Sequence, residues 1–213
     1  MIVILAGAPG AGKGTQADLL AEREGFKKVS TGDALRSQIK QDTEVGKLAK
    51  GFMDEGKLVP DDVLLRILEA ELDANSGSRI LLDGYPRNIA QAKTLEGLKR
   101  SYPVKAVIHL EVGKEKLIER ICGRRTCSQC GSVFHVVYSK PKEDGVCDKC
   151  GGTLTQRSDD NDEKVRVRLD VYEKETRPVL EFYRDSGSCF EIDGNRETEV
   201  VFEEVSELLK ARL

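Results

Sequence analysis

Short apolar runs alternate along the chain with longer stretches in which apolar residues recur at helical spacing. Runs such as Ile2–Ala6 and residues 79–83 have the length of buried strands. The stretch 63–75 instead repeats its valine, leucine and isoleucine residues every three to four positions, which is typical of an amphipathic helix. Strands that alternate with helices favour a parallel sheet covered on both faces. The pattern therefore predicts an α/β fold.

The same patterns predict where the individual elements lie. The predicted strands are at residues 2–6, 26–30, 79–83, 106–110, 133–138 and 189–192. The predicted helices are at residues 13–23, from 31 or 33 to about 40, 45–55, 63–75, 88–99, 114–122, 162–184 and 198–213. Thr31 or Asp33 is expected to cap the second helix, Gly56 to end the third, and Pro178 to interrupt the helix that starts at residue 162.

The segment GAPGAGKGT, residues 7–15, has the composition of a phosphate-binding loop. Its glycines allow backbone N–H groups to surround an anion. Lys13 can reach the terminal phosphates of a nucleoside triphosphate, and the following helix directs the positive end of its dipole at the same charge. The hydroxyl of Thr15 comes one residue later than in the plain motif, so whether it contacts Mg²⁺ or the phosphates stays open. The loop predicts that the protein binds a nucleotide phosphate.

The composition changes from residue 124 to about residue 160, a stretch that we call the insert, because Gly, Pro, Cys and Ser accumulate there. Cys127 and Cys130 form one Cys-x-x-Cys pair, and Cys147 and Cys150 form another, with 16 residues between the pairs. Four thiolates at this spacing suit a closed, tetrahedral and structural Zn²⁺ site. Two disulfides or free thiols are the alternatives. A bound metal would supply folding energy to a unit that is too small for its own core.

The remaining cysteines and the two histidines are interpreted as structural. Cys122 and Cys189 are expected to be small buried hydrophobic residues. His109 lies in an apolar strand and is predicted to be a hydrogen-bonded core residue. His135 lies in the insert, where four sulfur atoms already complete the metal site, and is predicted to be an ordinary side chain of the hairpin.

Arginines flank the insert and follow glycine-containing turns. Arg120 precedes the insert, Arg124 lies at its start, Arg157 lies near its end and Arg168 follows it, and the glycine-containing turns precede Arg36 and Arg87. Guanidinium groups suit phosphate oxygens and stay charged, so these side chains are predicted to surround one anion. The nearby Arg125 and Arg166 are interpreted as parts of solvated helix faces.

Asp83 ends an apolar strand and precedes Gly84. This is a position at which phosphate-loop proteins place the carboxylate that organises Mg²⁺. The sequence shows no Ser-His-Asp or Cys-His arrangement, and phosphoryl transfer requires none, because the protein chiefly positions the reacting oxygens and neutralises developing charge.

The overall charge excludes some classes of protein. The 213 residues carry 34 basic and 37 acidic groups, a net charge of −3, which gives no global attraction to nucleic acid or to an anionic membrane. Five apolar residues before Gly7 are too few for a signal peptide. No apolar run approaches the roughly 18 residues of a membrane span. We therefore expect a soluble, cytoplasmic protein.

Taken together, the motifs closely resemble those of the adenylate kinase family, in its long form with a zinc-bearing lid. Besides the phosphate loop they are STGD at residues 30–33, GKLV at 56–59, DGYPR at 83–87, GRR at 123–125 and RSDD at 157–160. The resemblance covers essentially the whole chain. It implies a three-layer P-loop fold with a central five-stranded parallel sheet and a small, zinc-ribbon-like lid insert.

The resemblance also implies an activity and a division of the chain. The activity is the reversible reaction ATP + AMP = 2 ADP, by in-line transfer of the γ-phosphoryl group with Mg²⁺, in a monomer that binds neither nucleic acid nor membrane. The expected units are a core of residues 1–29, 60–121 and 161–213, an AMP-binding segment of residues 30–59 and the lid at residues 122–160. Both smaller units would close over the substrates and exclude water.

Individual roles follow from the same resemblance. The residues expected to bind ATP are Gly10, Ala11, Gly12, Lys13, Gly14, Thr15, Arg120, Arg124 and Arg196. Those expected to bind AMP are Thr31, Arg36, Lys57, Val59, Gly84, Arg87, Gln91, Arg157 and Arg168. The expected catalytic residues are Lys13, Arg87, Arg120, Arg124, Arg157 and Arg168. The carboxylates of Asp33 and Asp83 are expected to order the water shell of Mg²⁺, and Asp159 to assist in the lid.

Two other functions compete with this interpretation. One is a monophosphate kinase that acts on UMP, CMP or GMP, because acceptor selectivity depends on base contacts that single residues such as Gln91 only suggest. The other is a P-loop ATPase whose zinc ribbon binds nucleic acid, which would require a basic, aromatic ribbon. Between Cys127 and Cys150 the insert has three lysines and three acidic residues, a balance that disfavours nucleic acid.

Overall fold

A computed structural model describes residues 1–98 and 102–213. The strands are β1 (Ile2–Ala6), β2 (Lys27–Ser30), β3 (Ile80–Asp83), β4 (Val104–Glu111), β5 (Arg124–Cys127), β6 (Val133–His135), β7 (Leu154–Thr155) and β8 (Cys189–Asp193). The helices are α1 (Lys13–Glu24), α2 (Thr31–Lys40), α3 (Glu44–Asp54), α4 (Asp61–Ala74), α5 (Ile89–Gly97), α6 (Lys114–Cys122), α7 (Asp162–Val171), α8 (Arg177–Arg184) and α9 (Thr198–Arg212), with a π-helical turn (Tyr172–Thr176) between α7 and α8.

The central sheet has five strands in the order β2-β3-β1-β4-β8, and every neighbouring pair is parallel. In β1, Val3 and Leu5 pack into the hydrophobic cluster on one face, whereas Ile2 and Ile4 pack into the cluster on the other. This alternation follows from the two-residue period of a strand. Burial on both faces explains why the strand is continuously apolar, and it confirms the predicted α/β fold with a central five-stranded parallel sheet.

The insert contains a second, smaller sheet. Its order is β6-β5-β7, and both strand pairs are antiparallel. The sequence predicted one strand here, at residues 133–138, which is too long because β6 ends at His135, and it missed β5 and β7. Neither missed strand has alternating apolar residues, since each depends on pairing with a distant segment rather than on its own pattern.

The helical stretch predicted over residues 162–184 contains the π-helical turn. Pro178 was expected to cause the interruption, but it lies in the first turn of α8, after the irregular residues. Proline is tolerated at that position because the N–H it lacks would have no partner within the helix.

The predicted cap of α2 is also wrong. Ser30 is the N-cap, and its hydroxyl accepts a hydrogen bond from the backbone N–H of Asp33 at 3.3 Å. Thr31 is instead the first helical residue. The other predicted boundaries agree with the structure to within two residues, although the predicted helix at residues 88–99 extends beyond the described residues at residue 99.

No helix over residues 1–98 and 102–213 is both long enough and apolar enough to cross a bilayer.

Candidate active site

A cavity of about 940 Å³ lies at the carboxyl ends of the parallel strands. Ala6, Asp83 and Leu110, from the ends of β1, β3 and β4, contribute to its wall. The insert lies over one side of the cavity, and α2 with α3 lie over the other side; we call these two parts the covers. The covers are in contact: the Ser158 hydroxyl donates to the Asp54 carboxylate at 2.8 Å, and the Lys40 ammonium donates to the Ser128 carbonyl at 3.1 Å. Parallel α/β sheets bind ligands at this edge.

The predicted phosphate loop forms the floor of this cavity. The Lys13 ammonium donates to the carbonyls of Gly7 and Ala8, at 2.8 and 2.9 Å, which holds the side chain back along the loop. Gly12 is the N-cap of α1 with a left-handed φ of 99°, and no side chain caps the helix. The first N–H groups of α1 are therefore available to an anion rather than to a capping oxygen.

The charge of Lys13 is poised to respond to a ligand. Burial lowers the pKa of Lys13 to about 8, and the charges of Arg87, Arg168 and Arg124 act in the same direction, while the Asp83 carboxylate partly opposes the shift. A negatively charged ligand would reverse the shift by favouring the protonated amine. The protonated Lys13 side chain would therefore stabilise an anion bound in the cavity.

Half-buried arginines surround the space above the loop. Burial lowers the pKa of Arg87 to about 10 and that of Arg157 to about 9, and neighbouring arginines add to both shifts. Both pKa values stay above neutral pH, so the guanidinium groups remain charged. Positive groups gathered in a half-enclosed cavity repel one another, and a phosphate oxygen between them would relieve that repulsion.

Asp160 fixes two of the arginines. Its carboxylate is fully buried and accepts hydrogen bonds from Arg124 Nε at 2.7 Å and Nη2 at 2.5 Å, and from Arg168 Nη1 at 3.1 Å. Asp159 binds the same Nη1 of Arg168 at 2.8 Å. Asp160 had no predicted role, although it is the last residue of the RSDD motif. Its position next to Asp159 could have suggested a role in the site, but only the fold shows that it binds Arg124 and Arg168.

A second set of contacts lies on the side of α2. The Asp33 carboxylate binds Arg36 at 2.5 Å and lies 3.5 Å from the Lys28 ammonium. Burial opposes the ionisation of Asp33, but these positive charges outweigh it and lower the pKa of Asp33 to about 2. The carboxylate therefore stays ionised at neutral pH, as the predicted role beside Mg²⁺ requires.

Gly84 connects this side of the cavity to Arg87. Its carbonyl accepts hydrogen bonds from the Thr31 hydroxyl at 2.9 Å and from Arg87 Nε at 2.7 Å. The φ of Gly84 is +84°, and a Cβ at this position would lie 2.9 Å from Arg87 Nη2. Only glycine fits such a backbone without displacing the guanidinium group.

Most of the predicted site residues line the cavity. They are Gly10, Ala11, Gly12, Lys13, Gly14, Thr15, Asp33, Arg36, Lys57, Val59, Asp83, Gly84, Arg87, Arg120, Arg124, Arg157, Asp159, Arg168 and Arg196. Arg125 and Arg166 do not line it. Arg166 pairs with Asp162 on the exposed surface of α7, as predicted for a solvated helix face. The same prediction is wrong for Arg125, which lies half-buried in β5 and donates to the backbone carbonyls of Cys122 and Arg124.

Two predicted AMP-binding residues lie behind the cavity wall rather than on it. Thr31 is buried and directs its hydroxyl to Gly84. Gln91 is also buried, and both ends of its amide are engaged: Oε1 accepts from the backbone N–H of Arg87 at 2.7 Å, and Nε2 donates to Asp61 at 2.6 Å. In this structure Gln91 supports Arg87 instead of facing the cavity.

The insert contributes residues that the sequence analysis did not select. Phe134, His135 and Tyr138 line the cavity from β6 and the turn after it. His135 is buried rather than an ordinary hairpin side chain: its Nδ1 accepts from the N–H groups of Val137 and Tyr138, at 3.0 and 3.1 Å. A Cβ on Gly123 would lie 2.2 Å from the ring, so glycine is required there.

The four predicted zinc ligands form one cluster. Their sulfur atoms all lie within 4.8 Å of one another, and none of the four cysteines is in a disulfide. The sulfurs of Cys127 and Cys150 are 3.5 Å apart, and those of Cys130 and Cys147 are 3.6 Å apart. In a tetrahedral site with Zn–S bonds of ~2.3 Å, sulfurs lie about 3.8 Å from each other. The cluster therefore fits a Zn²⁺ ion closely.

The other predictions for histidine and cysteine hold in part. His109 is buried, and its Nε2 lies 3.2 Å from the Tyr172 hydroxyl, but among the described residues its Nδ1 has no hydrogen-bond partner. Cys122 and Cys189 pack against the two large hydrophobic clusters, yet each is only half-buried.

Comparisons with known proteins agree with this geometry. The family model described as adenylate kinase matches residues 5–188. An adenylate kinase of Caldanaerobacter subterraneus subsp. tengcongensis is 49% identical over 212 residues, which cover 98% of this chain and 96% of that protein. One from Archaeoglobus fulgidus is 45% identical over 215 residues, which cover 99% of this chain and 98% of that protein. One from Geobacillus sp. is 46% identical over 212 residues, 98% of each chain.

Proposed function

The chain belongs to the adenylate kinase family, and on this premise we propose that it catalyses the reversible reaction ATP + AMP = 2 ADP. The observation that carries the proposal is the cavity in which the phosphate loop meets several half-buried arginines. Arg87 and Arg157 approach this space from different elements, as do Arg124 and Arg168 beside Asp160. Such a convergence suits a phosphoryl group that passes between two bound nucleotides.

In the proposed mechanism the chain positions both nucleotides and forms no covalent intermediate. The phosphate loop and Lys13 hold the phosphates of ATP, and Arg120, Arg124 and Arg196 extend that site. The residues proposed to hold AMP are Arg36, Lys57, Val59, Gly84, Arg87, Arg157 and Arg168. Thr31 and Gln91 are proposed to support the AMP site from behind Gly84 and Arg87.

Charge neutralisation is the main catalytic contribution that we assign to the side chains. As the γ-phosphoryl group leaves ATP, negative charge spreads over its oxygens, and fixed guanidinium groups stabilise that charge without reorganising. Asp160 holds Arg124 and Arg168 in place for this purpose. Asp33 and Asp83 are the carboxylates that we propose would order the water shell of Mg²⁺ bound with ATP, and the ion would supply positive charge to the phosphates.

The proposed division of the chain follows the covers of the cavity. Residues 30–59 form the AMP-binding segment, residues 122–160 the lid, and residues 1–29, 60–121 and 161–213 the core. The contacts between Ser158 and Asp54 and between Lys40 and Ser128 support a closed arrangement of the two covers. Closure keeps water from the phosphoryl group and so favours transfer over hydrolysis.

We assign a structural role to Zn²⁺ at the cysteine cluster. Four thiolates leave no open coordination position for chemistry, and none of the four cysteines lines the cavity. We further propose a monomer, because one chain supplies the residues of the cavity, with ATP, AMP and ADP as its ligands. Free thiols grouped for metal binding suit the reducing cytoplasm.

A product assay tests the proposal. The chain is incubated with Mg·ATP and, in separate reactions, with AMP, UMP, CMP or GMP, while nucleotide products and free phosphate are measured together. ADP formation that requires AMP, with little free phosphate, is the expected result. Transfer to another monophosphate would change the acceptor but keep the mechanism. Phosphate release without any acceptor dependence would reject the kinase and favour an ATPase.

A further inference from the structure

The helix that carries Arg168 changes its winding where it passes the cavity. α7 ends at Val171, and the π-helical turn follows over Tyr172–Thr176. The N–H of Arg177 bonds to the carbonyl of Tyr172, five residues earlier, which is the hydrogen bond of a π helix. π turns are rare and often occur at functional sites, yet no residue of this turn has a role in the proposed mechanism.

The turn determines which residues face the cavity. An α-helix rotates by about 100° per residue, so Thr176, eight residues after Arg168, would point about 80° away from it in an unbroken α-helix. A π turn contains one residue more than an α-helical turn, so the rotation from Arg168 to Thr176 about the helix axis is about 100° smaller. The two side chains then point to within roughly 20° of each other. Arg168 and Thr176 accordingly both line the cavity.

Thr176 makes one specific contact from this position. Its hydroxyl donates to the backbone carbonyl of Arg87 at 2.7 Å, across 89 residues of sequence. On the other side of Arg87, the backbone N–H donates to Gln91 Oε1 at 2.7 Å. Nε of the same arginine donates to the Gly84 carbonyl at 2.7 Å. Arg87 is therefore held at its N–H, at its carbonyl and at the base of its guanidinium group.

We propose that Thr176 is a positioning residue for Arg87, and that the π turn exists to place its hydroxyl there. The inference rests on the proposed function, because the group that Arg87 would hold is the phosphate of the nucleoside monophosphate. Thr176 acts through the peptide from which the guanidinium projects. The same helical segment thereby sets both Arg168 and Arg87 relative to the acceptor phosphate.

The test is the substitution Thr176→Val, which keeps the branched shape and removes the donor. We expect the KM for AMP to rise about 5- to 20-fold, the loss typical of one hydrogen bond that supports a charged contact, while the KM for ATP changes less than about twofold. Thr176→Ser retains the hydroxyl and should restore the KM for AMP to within about threefold of the parent value.

A matched control separates this role from a general loss of a threonine hydroxyl. Thr94 donates to the Ala90 carbonyl at 3.0 Å on the exposed surface of α5, so Thr94→Val removes a similar bond away from the cavity. We expect no change in either KM. If Thr176→Val does not fold, Thr176→Ala removes the same donor without the second methyl group, and the same two KM values decide.

Three results would overturn the inference. A parent-like KM for AMP in Thr176→Val would show that the hydroxyl does not position Arg87. An equal rise in the KM for AMP and for ATP, with a lower melting temperature, would show a merely structural bond. A parent chain that forms no ADP from ATP and AMP would reject both the proposed function and this inference, whereas an active parent with an unchanged variant rejects the inference alone.

Discussion

The central sheet and the insert are held together by different forces. In the sheet, two large clusters of buried apolar side chains pack on the two faces, so strands such as β1 are fixed on both sides. In the described residues of the insert, by contrast, the hydrophobic cluster has four members, which are Cys127, Phe134, Cys147 and Leu154. The two cysteines among them are also candidate metal ligands.

The difference means that the sheet and the insert are stabilised in separate ways. Burial of apolar surface contributes about 25 cal/mol per Å², and only the sheet has enough such surface to fold on this basis. We expect the insert to depend instead on its cysteines and on the ion pairs of Asp160. Changes at the cysteines or at Asp160 should therefore alter stability first, and changes in the phosphate loop should alter catalysis first.

The strongest way to sharpen this contrast is Lys13→Met on the floor of the cavity. Removing the ammonium group should lower phosphoryl transfer by about 10³-fold, because its positive charge is proposed to lie between the phosphates of ATP, while the two large clusters remain intact. Steady-state rates and thermal melting measured on the same samples check both parts. Activity within a few-fold of the parent chain would refute the role of Lys13.

The opposite change is the double substitution Cys127→Ser with Cys130→Ser in the insert. Loss of two ligands should abolish zinc binding and lower the melting temperature, whereas turnover at low temperature should fall much less. Zinc content, melting and rates are compared with those of Cys122→Ser combined with Cys189→Ser, which leaves the cluster complete. A folded, zinc-free variant that has lost turnover would instead point to a catalytic metal.

Asp160 joins the two regions, and Asp160→Asn should destabilise the protein by about 3 kcal/mol. The substitution leaves the half-buried guanidinium groups of Arg124 and Arg168 without their shared carboxylate. Asp162→Asn is the control, because Asp162 forms an exposed pair with Arg166 and should contribute much less. Urea unfolding compares both variants with the parent chain, and equal destabilisation by the two substitutions would contradict the assignment.

The smallest expected effect is a pH dependence set by Lys13. Its pKa of about 8 in the free protein means that the ammonium is charged below pH 8 and loses its proton as the pH rises through 8. The value of kcat/KM for ATP, which reports the free enzyme, should therefore fall by roughly tenfold between pH 7 and pH 9. Lys13→Arg should remove this decline, because arginine stays charged. A flat profile in the parent chain up to pH 9.5 would contradict the prediction.

Local sequence patterns were sufficient for the floor of the site. The phosphate loop, the strand before it and each Cys-x-x-Cys pair lie in a short stretch of chain, so their local geometry follows from neighbouring residues. These features could be predicted because the residues that define them are close in sequence. Arginines such as Arg87 and Arg124 were predicted from the family motifs, and the fold brings them to one cavity.

Only the tertiary structure decided how the site is supported. Three sets of contacts could not be inferred from spacing. Asp160 bonds to Arg124 and Arg168, Gln91 faces away from the cavity and bonds to Arg87, and Thr176 bonds to the same arginine. Each of these contacts except that of Gln91 joins residues from separate elements, and each exists because packing brought a donor and an acceptor together in a buried place. A sequence specifies which groups are available, but their partners depend on the fold, since most buried polar groups bond to a group that packing places beside them.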